Sequence, residues 1–228
     1  MAGVSSYAAI SARVRAMSAG LLFPQDIVRL SDTPDFSSLF IALKGTTYGP
    51  FLDGLKDKDI NPRKTVVQIK SKVAKSYYSV VQMSPVETRP LVKQLYRYFE
   101  LGNLKAVLRS IVAVQRSAET TSWDRVRDVL FPLGADTVIP AQAMVESGNI
   151  AAAVDLLNGT PYEEALAFAM KRYSTEQNLF PLEVALDLSY WRRLWAEAKK
   201  LTGADREHGV KIIGSLVDMN NLMWAVRY

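Results

Sequence analysis

Gly45-Thr46-Thr47-Tyr48 and, 114 residues further on, Gly159-Thr160-Pro161-Tyr162 are the stretch whose reading decides the fold. Self-similarity at a fixed spacing is the sequence signature of a duplicated unit, and the likeness extends outward from the tetrapeptide on both sides. Ahead of it, Asp35, Phe36, Leu39, Phe40 and Leu43 answer Asn149, Ile150, Ala153, Val154 and Leu157 at the same spacing. Behind it, Leu52 answers Leu166, and Ser76-Tyr77-Tyr78 answers Ser189-Tyr190-Trp191 at a spacing of 113. Last, Glu100-x-x-Asn103-Leu104-x-x-x-Leu108-Arg109 answers Asp218-x-x-Asn221-Leu222-x-x-x-Val226-Arg227 at a spacing of 118. Landmarks in one order at nearly constant spacing divide the chain into two units, residues 1–115 and 116–228.

Each tetrapeptide reads as an elbow between two helices. Gly159 ends one helix in the left-handed conformation that favours glycine. Thr160 then caps the next, Pro161 takes its first position, and Glu163 completes a capping box. The first copy keeps Gly45, Thr46 and Tyr48 but has Gly49 where the box wants Glu, so its cap is expected to be weaker. Tyr162 is free to pack back across its elbow. These residues are expected to be structural rather than ligand-binding.

Away from the elbows, the proline-free stretches carry apolar residues at spacings of three and four, which predicts amphipathic helices. Tyr7, Ile10, Val14, Met17 and Leu21 make one such face, with Arg13 and Arg15 off it. Asp35 to Leu43 is predicted helical, with Thr33 as its cap and Pro34 at its first position. The segment from Pro90 to about Ser117 carries Leu91, Leu95, Tyr98, Leu101, Leu104, Leu108 and Ile111 on one face. Alternation of period two is scarce and hairpin dipeptides are absent, so the predicted class is all-α. Asn103 and Asn221 are poor helix formers placed in mid-helix; they are either solvated or bonded to a neighbouring helix. Arg109 and Arg227 suit a partner carboxylate, or a salt bridge within the bundle to Glu100, Asp218 or another acid.

Composition limits the chemistry. The chain has 228 residues, no cysteine, one histidine and a net charge of +5. Disulfides and thiolate metal sites are excluded, and no apolar run approaches the ~18 residues of a membrane span. No basic cluster leads into an apolar core at Met1 to Ser6, so no secretory signal is expected. Asn158-Gly159-Thr160 is then read as a chance glycosylation match. Phosphate-binding and nucleophile-elbow motifs are missing. His208, in Ala204-Asp205-Arg206-Glu207-His208-Gly209, reads as a polar loop residue without a second ligand to share a metal. No catalytic residue, cofactor or metal is expected. The basic stretch holding Lys56, Lys58, Arg63, Lys64, Lys70, Lys72 and Lys75 ahead of Tyr77 and Tyr78 is compatible with a nucleic-acid surface. Asp57 and Asp59 dilute it, while Val66, Val67, Ile69 and Val73 mark an amphipathic helix with a solvated face, which is the preferred reading, ahead of contact with an anionic protein or lipid surface.

Together these residues resemble the C subunit family of the archaeal and bacterial A/V-type rotary ATPases, the counterpart of the eukaryotic d subunit. The likeness rests on the opening Tyr7…Ala12-Arg13-Val14-Arg15-Ala16-Met17 helix, the Gly-Thr-x-Tyr elbow, Leu182-Glu183…Leu186-Asp187…Tyr190-Trp191…Leu194, and the closing Asp218-x-x-Asn221-Leu222-x-x-x-Val226-Arg227. It covers essentially the whole chain. The resemblance implies a non-catalytic central-stalk adaptor, part of a helical funnel made of three pseudo-symmetric repeats, of which residues 1–228 hold two. One side of such a funnel rests on the membrane proteolipid ring at the cytoplasmic face, as a peripheral protein. Its hollow receives the D and F axle subunits. No small-molecule substrate and no nucleic acid is expected. Arg13, Arg15, Arg109 and Arg227 are the candidate partner-binding residues. An unrelated helical-repeat interaction module, or a basic nucleic-acid-binding protein, are the alternatives the residues leave open.

Overall fold

Proline and glycine punctuation shapes the molecule into a run of helices, short in the middle of each half and long toward its end. The structure, a computed structural model, describes residues 4–56, 60–116 and 123–227. Among them no strand occurs, in agreement with the all-α expectation. A short 3-10 turn leads into α1 (Ala8–Ala19), followed by α2 (Pro24–Ser31), α3 (Phe36–Lys44) and α4 (Gly49–Leu52). Two long helices follow, α5 (Pro62–Met83) and α6 (Arg89–Arg116). Beyond them come α7 (Trp123–Arg127), α8 (Ala141–Glu146), α9 (Ile150–Asp155), α10 (Glu163–Glu176), α11 (Phe180–Lys200) and α12 (Gly203–Arg227).

Local chemistry sets the boundaries. Asp35 caps α3 by accepting from the Ser38 N–H at 2.8 Å, and Asn149 caps α9 by accepting from the Ala152 N–H at 2.8 Å. The cap of α3 is therefore Asp35 and not Thr33, which turns its hydroxyl back to the Leu30 carbonyl instead. Prolines at the first turns of α2, α5 and α11 sit where a missing N–H has no consequence. His208 belongs to helix α12 and is exposed, so the expectation of a loop there is corrected. Asp205 in the first turn of that helix favours its start.

The main core is built around α6. Leu101, Leu104, Val107, Leu108 and Ile111 are almost fully buried against side chains of α8 to α11. At roughly 1.5–3 kcal/mol for each such side chain removed from water, this seam is a large part of the folding energy. Of the predicted α6 stripe only Tyr98 departs, at 56% exposed. It leans on the Tyr190 ring of α11, at 5.7 Å between centroids. A smaller core gathers Leu30, Phe40, Leu43 and Leu52. In contrast, α1 buries no residue. Of its predicted apolar face, Tyr7, Ile10 and Met17 are half-buried, while Val14 and Leu21 remain 41% and 59% exposed; the helix packs on α5.

Candidate functional site

The polar centre of the molecule is a carboxylate. Glu100 lies on the apolar stripe of α6 and is 1% exposed. A buried charge must be paired and hydrogen-bonded, and Glu100 has three donors. Arg97, one turn back, donates from Nη1 at 2.8 Å; the Val138 N–H donates at 2.5 Å; the Tyr162 hydroxyl donates at 2.6 Å. One turn further along α6, Asn103 holds both backbone groups of Phe131. Its Nδ2 donates to the Phe131 carbonyl at 2.8 Å, and its Oδ1 accepts from the Phe131 N–H at 2.6 Å. Two side chains of one helix thus grip the segment 131–138 and the elbow tyrosine. Burial, with the adjacent Glu100 charge, raises the Tyr162 pKa strongly, so its hydroxyl stays protonated as a donor.

The two elbows share the hydrogen bonds of their threonine and differ in backbone and in use. Thr46 Oγ1 donates to the Leu43 carbonyl at 2.7 Å and accepts from the Tyr48 N–H at 3.1 Å. Thr160 Oγ1 donates to the Leu157 carbonyl at 2.6 Å and accepts from the Tyr162 N–H at 3.2 Å. The threonine therefore closes the turn before the helix rather than capping it, and α10 begins at Glu163. The Glu163 carboxylate reaches back to the Gly159 N–H at 2.8 Å, not to the Thr160 N–H that a capping box would use. Gly159 is left-handed, at φ +77°, as expected. Gly45 ends α3 at an ordinary φ of −73°. Gly49 has its own reason: a Cβ there would stand 2.3 Å from the Lys44 carbonyl oxygen. The first elbow is too closely folded for the glutamate that the second one carries.

Where Tyr162 plunges into the core, Tyr48 stays half-buried and carries the Lys72 ammonium 3.6 Å above its ring centre. Lys72 also donates to Thr47 Oγ1 at 2.5 Å, and burial lowers its pKa. Lys70 donates to the Val129 carbonyl at 3.1 Å, and Lys75 lies 5.0 Å from the Phe51 ring centre. These three lysines tie α5 to its surroundings. Lys70 and Lys72 are therefore engaged within the fold, while Lys56, Arg63 and Lys75 are exposed, as on a solvated face. Lys58, Asp57 and Asp59 lie outside the described residues.

The candidate arginines part company. Arg109 pairs with Glu183 through both nitrogens, Nε at 2.6 Å and Nη2 at 2.9 Å, which raises its pKa. One turn earlier Lys105 meets Asp187 at 2.5 Å. Bases at i and i+4 of α6 thus face acids at i and i+4 of α11, running in opposite directions. The Glu183 and Asp187 of the sequence motif have this structural use. Arg13 and Arg15 are exposed on α1. Arg227 is the last residue of α12, and its side chain lies outside the described residues. The four arginines do not form one cluster. Sequence reasoning offers Glu100 only as a mate for Arg109 and misses the junction it makes. The signal for that junction is an acid on an apolar stripe, one turn from a duplicated asparagine.

Two outward surfaces are apolar. A groove of about 780 Å³ runs between α10 and α11, lined by Phe168, 72% exposed, and Leu188, 49% exposed, together with Arg172 and Arg192. The second is the face of α12. Among the described residues no group of acidic, cysteine and histidine side chains is arranged to hold a metal, and no helix is long and apolar enough to cross a membrane.

The architecture is a set of helices cross-linked by polar bonds, with apolar faces left outward. The chain belongs to the ATP synthase (C/AC39) subunit family, whose pattern matches residues 10–228. It is similar to the C subunit of the A-type ATP synthase of Methanocaldococcus jannaschii, 23% identical over 221 residues, which are 96% of this chain and 53% of that protein. The same subunit of Methanosphaera stadtmanae is 24% identical over 218 residues, 95% of this chain and 53% of its own. That of Halobacterium salinarum is 24% identical over 227 residues, 99% and 62%. The chain spans about half the length of the first two relatives and somewhat more of the third.

Proposed function

We propose that this chain is a non-catalytic central-stalk adaptor of an A-type rotary ATPase, built from two copies of one helical unit, residues 1–115 and 116–228. It sits at the cytoplasmic face of the membrane as a peripheral protein and couples the D and F axle subunits to the proteolipid ring. The observation that carries the reading is the family match across residues 10–228, on a chain whose buried polar groups join helix to helix. A part that passes torque must not shear internally. The Glu100 junction and the antiparallel Lys105–Asp187 and Arg109–Glu183 pairs suit that need, since they lock α6 to the segment 131–162 on one side and to α11 on the other. The exposed apolar groove between α10 and α11 and the exposed Arg13 and Arg15 are the surfaces offered to partners.

The test is reconstitution. Mixed with the purified D and F axle pair, and separately with the detergent-solubilised proteolipid ring, the protein should co-elute with both on gel filtration. Substituting Phe168 with Lys, or Arg13 and Arg15 with Glu, should weaken one of the two associations. No association with either would sink the reading.

A further inference from the structure

Besides the groove and the face of α12, the corner between α1 and α2 leaves large apolar side chains outside. Leu21 and Phe23 in the connection are 59% and 60% exposed, and Ile27 and Val28 of α2 are 51% and 60% exposed. Spacings of three and four set Pro24, Ile27 and Val28 on one outward face, while Leu30 turns into the smaller core. Ahead of the corner stand Arg13 and Arg15, exposed and without an ion pair among the described residues. At about 3.6 residues per turn they flank an exposed strip of Ala8, Ala12, Ala16 and Ala19, so both guanidinium groups reach one side of the helix. No acid occurs among residues 1–25 of the sequence. Asp26, the next one, is engaged within the corner: its carboxylate accepts from the Phe23 N–H at 3.0 Å and pairs with Arg29 at 3.5 Å.

A low-dielectric phase admits a chain corner only where backbone polar groups are satisfied from within. Here the Gly20 and Leu21 N–H groups donate to the Met17 and Ser18 carbonyls, both at 3.1 Å, and the Phe23 N–H has Asp26. The Gly20 carbonyl accepts from Thr47 Oγ1 at 2.6 Å, and the Phe23 carbonyl accepts from the Asp26 and Ile27 N–H groups. A folded protein partner would read the corner partly through such groups, which are already used. A fluid interface requires only apolar side chains with cations behind them.

We propose that the α1–α2 corner is a lipid-binding surface. Leu21, Phe23, Ile27 and Val28 enter the boundary between headgroups and acyl chains of an anionic bilayer, and Arg13 and Arg15 hold lipid phosphates. Arginine suits that place, because its guanidinium donates to phosphate oxygens in pairs while its stem lies along apolar surface. Neither half suffices alone: a few apolar side chains or two charges give weak attachment, and stable binding takes both. The inference goes beyond the adaptor reading and requires no ATPase component.

The test mixes the full chain with vesicles of phosphatidylcholine doped with phosphatidylglycerol, and with pure phosphatidylcholine vesicles, and sediments both. Partitioning to the doped vesicles should be roughly tenfold stronger and should fall as salt rises. Replacing Arg13 and Arg15 together with Gln should weaken it by roughly 10–30-fold, and Leu21→Ser with Phe23→Ser by roughly tenfold or more. These four residues are exposed, so the Tm should stay within about 2 °C. Because the chain has no cysteine, one introduced thiol reports depth. A polarity-sensitive dye on Leu21→Cys should shift to the blue on the doped vesicles, while the same dye on Ile212→Cys, at an exposed site of α12, should not. No partitioning, equal shifts at both positions, or partitioning untouched by the serine pair would each overturn the proposal. So would association with the detergent-solubilised proteolipid ring by a chain that ignores vesicles, because the corner would then serve a protein. The adaptor reading would survive that result.

Discussion

Tyr162→Phe removes a single oxygen atom, and its consequence can be worked out from the junction it serves. The hydroxyl is 2.6 Å from the Glu100 carboxylate, in a place where Tyr162 is 7% and Glu100 1% exposed. A hydrogen bond to a buried charge is worth about 1.5–3 kcal/mol, above the ~1 kcal/mol of a neutral pair. Arg97 and the Val138 N–H remain on the carboxylate after the substitution, so the charge is not left bare and the loss should stay inside that range. For a domain of this size ~1 kcal/mol displaces Tm by about 2–4 °C, giving a fall of roughly 3–12 °C for Tyr162→Phe. Tyr48→Phe is the internal control. It sits at the same place in the duplicated elbow, but its structural contact is the Lys72 ammonium over the ring, and phenylalanine keeps that ring. Its effect should be under about 0.5 kcal/mol. Urea denaturation of the two variants, followed by circular dichroism, reads both numbers at unchanged m-value. Equal effects of the two substitutions, or a Tyr162→Phe variant as stable as the parent, would refute the assignment of Glu100 as the hub.

The same asymmetry extends along the closing helices. Leu104→Ala should cost about 2–5 kcal/mol, because Leu104 is fully buried, whereas Leu222→Ala should fall within about 0.5 kcal/mol; chemical denaturation of both checks it. Asn149→Ala removes the cap of α9 and should lower stability by about 0.5–2 kcal/mol, measured in the same way. Gly49→Ala drives a Cβ toward the Lys44 carbonyl oxygen and should cost about 1–3 kcal/mol, visible as a drop in Tm. Stability should also decline at alkaline pH. Burial pushes the Tyr96 pKa up to about 12 and raises those of Tyr162 and Tyr190 as well. From pH ~10 the unfolded chain loses these protons while the folded chain keeps them, so each such tyrosine removes about 1.4 kcal/mol per pH unit. The stabilisation is complete below pH ~10, and Tyr162→Phe should make the decline shallower.

Periodicity and punctuation are local properties, and what they govern is legible in the chain. The long helix through Leu101, Leu104 and Leu108 and the left-handed Gly159 are of this kind, whereas the expected Thr160 cap and capping box give way to a turn closed by the threonine. The cap of α3 is harder, because Thr33-Pro34 and Asp35 are competing signals a residue or two apart, and the Ser38 N–H chooses the carboxylate. The use of Glu100, Lys72 and Tyr162 is not legible, because it depends on which segments the fold brings together from 62 and 25 residues away. The likeness between the two sequence motifs conceals the difference. Two matching motifs imply two matching environments, yet α6 is enclosed and α12 is not. Asn103 bonds the backbone of Phe131 in a loop rather than a neighbouring helix, while Asn221 is exposed.

The adaptor reading is tested most directly by coupling. An A-type ATPase assembled from purified components without this protein and reconstituted into vesicles should hydrolyse ATP yet pump no ions. Adding the protein should restore ATP-driven pumping without changing the hydrolysis rate of the isolated catalytic head. Pumping that is full in its absence, or that the protein cannot restore, would contradict the account.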